Sequence, residues 1–293
     1  MKRTWRFLLI GGLVAASLLA VNGEISVARW PEFARAATPK IPARTVIVSE
    51  TRQASSVASA SLPSHVSVAP SPRIPAILPP LLEPDIHEED RSMANEVLWL
   101  LPSSCRRKLQ TFIVRYDGKL PSRGYAGAST IILDGARPVQ ERRAVLMHEA
   151  LGHFFSLGCL PQTMTSGASE FKNGEDPIAK DNPSLTFYRI DWLDATTMRS
   201  GSRADDFVTG YAKTNCFEDI AETATYYVLR SDDFRRRAAK NKALAAKLAW
   251  LEKYEFPSPP RVAKSTQTWD GVIPWDATLL GYTWRSDVQV AER

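Results

Sequence analysis

Two β-branched runs in close succession, followed by several long helical stretches, predict an α+β domain with a helical majority and a small sheet. An apolar leader and a Pro/Ala/Ser-rich segment ahead of it predict that this domain is exported and tethered. The composition suits a globular body: of 293 residues, 44% are apolar and 24% charged. That excludes a wholly disordered, collagenous or polytopic membrane chain. The formal charge is +5, but Lys2, Arg3 and Arg6 of the leader account for three of those charges. What remains is too mild for nucleic acid, and no basic run is interleaved with aromatics.

Residues 1–23, MKRTWRFLLIGGLVAASLLAVNG, have a basic start and an apolar run from Phe7 to Val21. That run is short of the roughly 20 residues a spanning helix needs and suits a signal peptide. Cleavage before Glu24 would follow Val21-Asn22-Gly23, and an uncleaved N-terminal anchor is the alternative. Either way the body works outside the cytoplasm, and the membrane is met only through this segment if it is retained. No cysteine follows the apolar run, which argues against a lipoprotein. Residues 24–85 show no sustained period, and prolines at 63, 70, 72, 75, 79 and 80 favour extended chain. This segment reads as a disordered tether, or alternatively as a propeptide or binding arm.

The folded unit is expected over 86–255. Residues 88–101 form an amphipathic helix stopped by Pro102. Strands follow at 111–117 and 126–134, each bounded by glycine. Pro138 opens a long helix, PVQERRAVLMHEALGHFFSL, with Gly158 as its stop. The polar stretch to about Ser184 reads as loop. Residues 217–230 make a second strong helix, and SDDF caps a third, basic one that runs through Lys253. The extension 256–293 is Pro- and Trp-rich, with Trp269, Trp275 and Trp284, and either wraps the domain or binds a partner. In an oxidising compartment Cys105, Cys159 and Cys216 make one disulfide and one free thiol. The sequence allows three pairings.

The long helix carries His148-Glu149-Ala150-Leu151-Gly152-His153. Two histidines on one helix, with a glutamate directly after the first, suit a catalytic zinc: the imidazoles ligate Zn2+, and Glu149 takes the proton of the attacking water. The chain has 4 histidines, and the other two, His65 and His87, lie in or beside the tether. The spacing is one residue longer than the common HExxH. On an α-helix an i,i+4 pair is offset by about 40°, an i,i+5 pair by about 140°. One extra residue taken up as a π-bulge restores a common face, and Gly152 eases that distortion. No histidine follows His153, which excludes a three-histidine site of the metzincin type, and the best carboxylate for a third ligand lies on the second helix. Glu218 and Glu222 share a face of the second helix, so one can bind metal while the other holds a ligating imidazole. The alternative is a solvated acidic helix start that complements the dipole.

At these residues the chain resembles the gluzincin group of zinc metallopeptidases. The resemblance implies a zincin-like domain over roughly 125–230, with His148, His153 and Glu218 as metal ligands, Glu149 as general base, and Glu222 behind a ligand. The stretch from Tyr211 to Glu218 is similar to the lethal-factor and Pro-Pro endopeptidase group, in which a tyrosine seven residues before the ligand glutamate points at the reacting carbonyl. Tyr211 matches that position; a packed loop aromatic is the other reading. HEALGH itself is similar to the HExxGH motif of dipeptidyl peptidase III. The resemblance also implies that an edge strand, here 126–134, pairs with extended substrate. With both ligand helices converging, Cys159 and Cys216 are the expected disulfide, leaving Cys105 free.

The function so implied is that of an exported zinc-dependent metalloendopeptidase acting on a peptide or protein, with proline near the cut. The chain itself offers Pro79-Pro80, a candidate self-cleavage site, and Pro259-Pro260. The competing readings are a catalytically inactive zincin-fold binding module of the cell envelope and a metal-free tethered interaction protein.

Overall fold

The computed structural model describes residues 86–257, 260–268 and 273–285. The leader, the tether with Pro79-Pro80, Pro259 and Trp269 lie outside the described residues. Helix and small sheets mix as an α+β fold requires. The first helix, α1 (Glu88–Leu98), buries Met93, Ala94, Val97 and Leu98, and a turn joins it to Pro102. After α2 (Ser103–Arg106), β1 (Thr111–Arg115) opens a three-stranded sheet.

The run predicted as one strand over 126–134 is two: β2 (Gly124–Ala126) and β3 (Thr130–Asp134). Gly127, Ala128 and Ser129 turn the chain between them, closed by the Gly127 amide on the Thr130 carbonyl at 2.9 Å. The order is β1-β3-β2, with β1 parallel and β2 antiparallel to β3. The expectation of an edge strand at 126–134 is therefore corrected. Ile131 and Leu133, fully buried, put β3 in the centre, and the edges are β1 and β2, of which β2 packs against Glu149.

Pro138 precedes α3 (Val139–Met147), whose Arg142 binds Asp90 and Glu89 of α1 at 2.8 and 2.7 Å. From His148 the chain continues without a break as a π-helix to Cys159, twelve residues long. The single bulge expected from the histidine spacing is thus a whole π-helical segment. Its i→i+5 bonding sets residues five apart one above the other. Gly152 has a further role: a Cβ there would stand 2.3 Å from Ala221 Cα, so glycine lets the π-helix meet the next long helix backbone to backbone.

Two elements interrupt stretches that read as uniform. Inside the predicted loop, β4 (Ala168–Asn173) and β5 (Asp176–Ala179) form a hairpin, with Gly174 at φ 60° in its turn. The short α4 (Ser184–Tyr188) follows. The expected basic helix ending at Lys253 is α6 (Ser231–Ala238) and α7 (Lys242–Tyr254), parted where the Asn241 side chain caps the Leu244 amide. Between α4 and α6 lies α5 (Cys216–Leu229), capped by Asn215, which accepts from the Phe217 and Glu218 amides at 2.9 Å each. This cap starts the helix in the register that presents Glu218. The C-terminal extension wraps the domain: Phe256, Val262 and Ala277 are buried, and β6 (Ala263–Lys264) pairs with β7 (Thr283–Trp284).

The disulfide is Cys105–Cys159, with Cys216 free and buried, which overturns the expected Cys159–Cys216 pair. The helices converge at Gly152 and Ala221, but the π-helix then runs on toward α2 and delivers Cys159 to Cys105, Cα–Cα 4.8 Å. Lys108 fastens the same end, donating to the Gly158 and Cys159 carbonyls at 3.0 Å. Peptide mapping under non-reducing conditions is expected to link Cys105 to Cys159 and to find Cys216 alkylated only after unfolding. A Cys159–Cys216 link would contradict this packing.

Candidate metal centre

The π-helix and α5 bring together most of the residues singled out from the sequence. One atom each from His148, His153 and Glu218 lie within 4.8 Å of one another. Glu218 Oε2 sits 3.0 Å from His148 Nε2 and 3.5 Å from His153 Nε2. Tetrahedral zinc with bonds of about 2.0–2.2 Å spaces its ligand atoms about 3.3–3.6 Å apart, so the donor set suits such an ion. The chemistry agrees: two imidazoles and a carboxylate leave a position for substrate or water.

Behind the first histidine, His148 Nδ1 meets Glu222 Oε1 at 3.0 Å. Because a carboxylate only accepts, Nδ1 carries the hydrogen and Nε2 is the atom turned to Glu218. Burial disfavours a charged His148 ring, but its bonds to Glu218 and Glu222 outweigh burial and hold its pKa well above the ordinary value. Burial likewise opposes the Glu218 carboxylate, yet His153 and His148 hold it far below the ordinary carboxylate range. Both ring nitrogens of His148 thus face carboxylate oxygens, and a metal cation bound at Nε2 would take the place of a proton there.

Glu149 is buried, and burial raises its pKa against the opposing charges of His153 and His148. Its Oε2 is buried without a hydrogen-bond partner, a costly state that a bound water or substrate relieves. The β2 backbone closes over this carboxyl: a Cβ at Gly124 would stand 2.8 Å from Glu149 Oε1. Tyr211 stacks near His148, ring centroids 6.1 Å apart. Burial and the charges of Glu218, Glu222 and Glu149 push its hydroxyl far above the ordinary range, so it stays a hydrogen-bond donor. Of the remaining histidines, His87 stacks on Tyr116 at 3.9 Å and takes no part.

Three supports escaped the sequence reading. Thr209 Oγ1 and the Ala277 amide both donate to Glu222 Oε2, at 2.6 and 2.8 Å. Arg123 pairs with Asp276 and reaches Thr278 Oγ1 at 2.6 Å, joining the residue before β2 to the C-terminal extension. Lys247, fully buried, binds Asp191 and Asp219 at 2.8 Å, and Trp192 Nε1 donates to Asp219 at 3.0 Å. Anchoring Asp219 on that side of α5 leaves its neighbour Glu218 facing the histidines. No short motif marks these groups; the acidic pair Glu218-Asp219 was the available signal.

No protein-family model, curated protein or solved structure matches this chain. Among the described residues, no helix is long and apolar enough to cross a membrane.

Proposed function

We propose that this chain is an exported, zinc-dependent metalloendopeptidase built on a zincin-like domain. The observation that carries the reading is the convergence of His148, His153 and Glu218 beside a buried glutamate with an unpartnered oxygen. His148, His153 and Glu218 would hold zinc, with Glu222 fixing the His148 tautomer. Zinc in that position supplies Lewis acidity to the scissile carbonyl and to a water. Glu149, its pKa raised by burial, accepts the proton of that water and returns it to the leaving amine. Tyr211, kept protonated, donates to the oxygen on which negative charge develops. As an edge strand beside Glu149, β2 would be where an extended peptide pairs. The Cys105–Cys159 disulfide supports an oxidising compartment, and with it the reading of residues 1–23 as a leader and 24–85 as a tether.

Digestion of a broad peptide library by the zinc-loaded protein, with and without chelator, tests this. Chelator-sensitive cleavage is expected. Zinc bound stoichiometrically without turnover would overturn the peptidase reading in favour of the inactive binding module. Within the same assay Tyr211→Phe is expected to lower turnover about 10²-fold with zinc retained, since only a donor to the developing charge is removed. Equal turnover in Tyr211→Phe and the parent would return Tyr211 to a packing role.

A further inference from the structure

The wrapped C-terminal segment does more than cover the fold. Glu222 is fully buried, and its two oxygens meet three donors: His148 Nδ1 on Oε1, Thr209 Oγ1 and the Ala277 amide on Oε2. A buried carboxylate is fixed by the donors that saturate it. Here one of the three comes from residues about 55 positions further along the chain. The same strap bonds to the backbone at Tyr211. The Gly210 amide donates to the Pro274 carbonyl at 2.8 Å, and the Tyr211 amide to the Trp275 carbonyl at 2.7 Å. Trp275 lies so close over Gly210 that a Cβ there would meet its ring at 2.5 Å.

The strap in turn is held in shape at Asp276. Its Oδ1 accepts from the Thr278 amide at 2.7 Å and from Thr278 Oγ1 at 2.6 Å, which presents the intervening Ala277 amide to Glu222. Its Oδ2 pairs with Arg123, the residue before the glycine that packs on Glu149. One turn of chain thus touches the support of His148, the backbone of Tyr211 and the start of the edge strand. We propose that residues 274–278 are a positioning element of the metal centre, with Asp276 its key positioning residue, acting through the Ala277 amide and Glu222 on the His148 ring. When this support is lost, Glu222 keeps only Thr209 on Oε2, swings, and releases His148 Nδ1 from its fixed orientation.

The inference rests on the metal reading, and the test separates the two. Zinc affinity is measured by competition with a chromophoric chelator, and the Co2+-substituted protein is compared by its visible spectrum, which reports ligand geometry. Asp276→Ala is expected to weaken zinc binding about 10-fold or more, as losses behind a ligand do, and to alter the Co2+ spectrum. Asp276→Asn, which keeps an acceptor for the Thr278 amide, is expected to fall between Asp276→Ala and the parent. Trp284→Ala removes packing of the extension on Arg143 without touching the donors to Glu222, so it should lower the melting temperature and leave zinc affinity unchanged. No variant is needed for a further readout. Because coupling is reciprocal, zinc added to the parent protein should slow hydrogen exchange at the 275–278 amides more than at the β4–β5 hairpin. A parent protein that binds no zinc overturns the metal reading and this inference together. A zinc-binding parent overturns this inference alone if affinity is unchanged in Asp276→Ala, if it falls equally in Trp284→Ala, or if zinc brings no extra protection of the strap.

Discussion

Glu149→Gln is expected to keep zinc bound at the parent affinity while lowering peptide hydrolysis by about 10²- to 10⁴-fold, the range for loss of a positioned general base. The substitution is nearly isosteric, so Gly124 still packs against it. The amide oxygen cannot take up the proton, and the rate falls for that reason alone. Steady-state turnover together with zinc content checks it. Full activity in Glu149→Gln would remove this residue from the chemistry, whatever the metal does.

The largest structural effect is expected at Gly152. Its missing Cβ lets the π-helix lie against Ala221, and an alanine there would come 2.3 Å from both Ala221 Cα and Ala221 Cβ. Because Cα is main chain, no rotamer relieves the contact and one helix must move. Overpacking of this kind costs about 1–3 kcal/mol, and for a domain of this size each kcal/mol lowers the melting temperature by about 2–4 °C. The movement also parts His148 and His153 on the π-helix from Glu218 on α5, so zinc affinity should drop with stability in Gly152→Ala. Ala221→Gly in the same chain should restore only part of the loss, since the contact with Cα and the 3.1 Å contact with the Ala221 amide nitrogen remain. Unchanged melting and zinc binding in Gly152→Ala would mean that the two helices are not in backbone contact.

How far the sequence foretells this arrangement depends on what kind of signal each part leaves. The His148–His153 pair is legible because metal chemistry needs particular side chains, and its i,i+5 spacing requires a departure from α-helix. The extent of that departure is not legible, because the π-segment is held by tertiary partners: Ala221 at its middle, Cys105 and Lys108 at its end. Gly152 is legible as a residue that eases the distortion, but not as the small residue that a close crossing with Ala221 requires.

The run 126–134 looked like one strand because both arms are apolar, and the small residues Gly127 to Ser129 that fold it gave too weak a break. At the β4–β5 hairpin the signal was present: Asn173-Gly174 is a turn dipeptide between two short runs. The disulfide went wrong for a geometric reason. Two helices that cross at one point do not bring together residues several positions from the crossing. The strap was illegible in principle, since its contribution at Ala277 is a backbone amide, which every residue but proline carries.

The central claim is that His148, His153 and Glu218 hold one metal ion while Glu149 and Glu222 serve it from outside the ligand set. Zinc stoichiometry and affinity, measured side by side in the parent, Glu149→Gln, Glu218→Ala and Glu222→Ala, test it most directly. The expected pattern is one zinc per chain in the parent and in Glu149→Gln, about 10- to 100-fold weaker binding in Glu222→Ala, and loss of stoichiometric zinc in Glu218→Ala. A parent without zinc, or equal loss in Glu149→Gln and Glu218→Ala, would contradict the assignment.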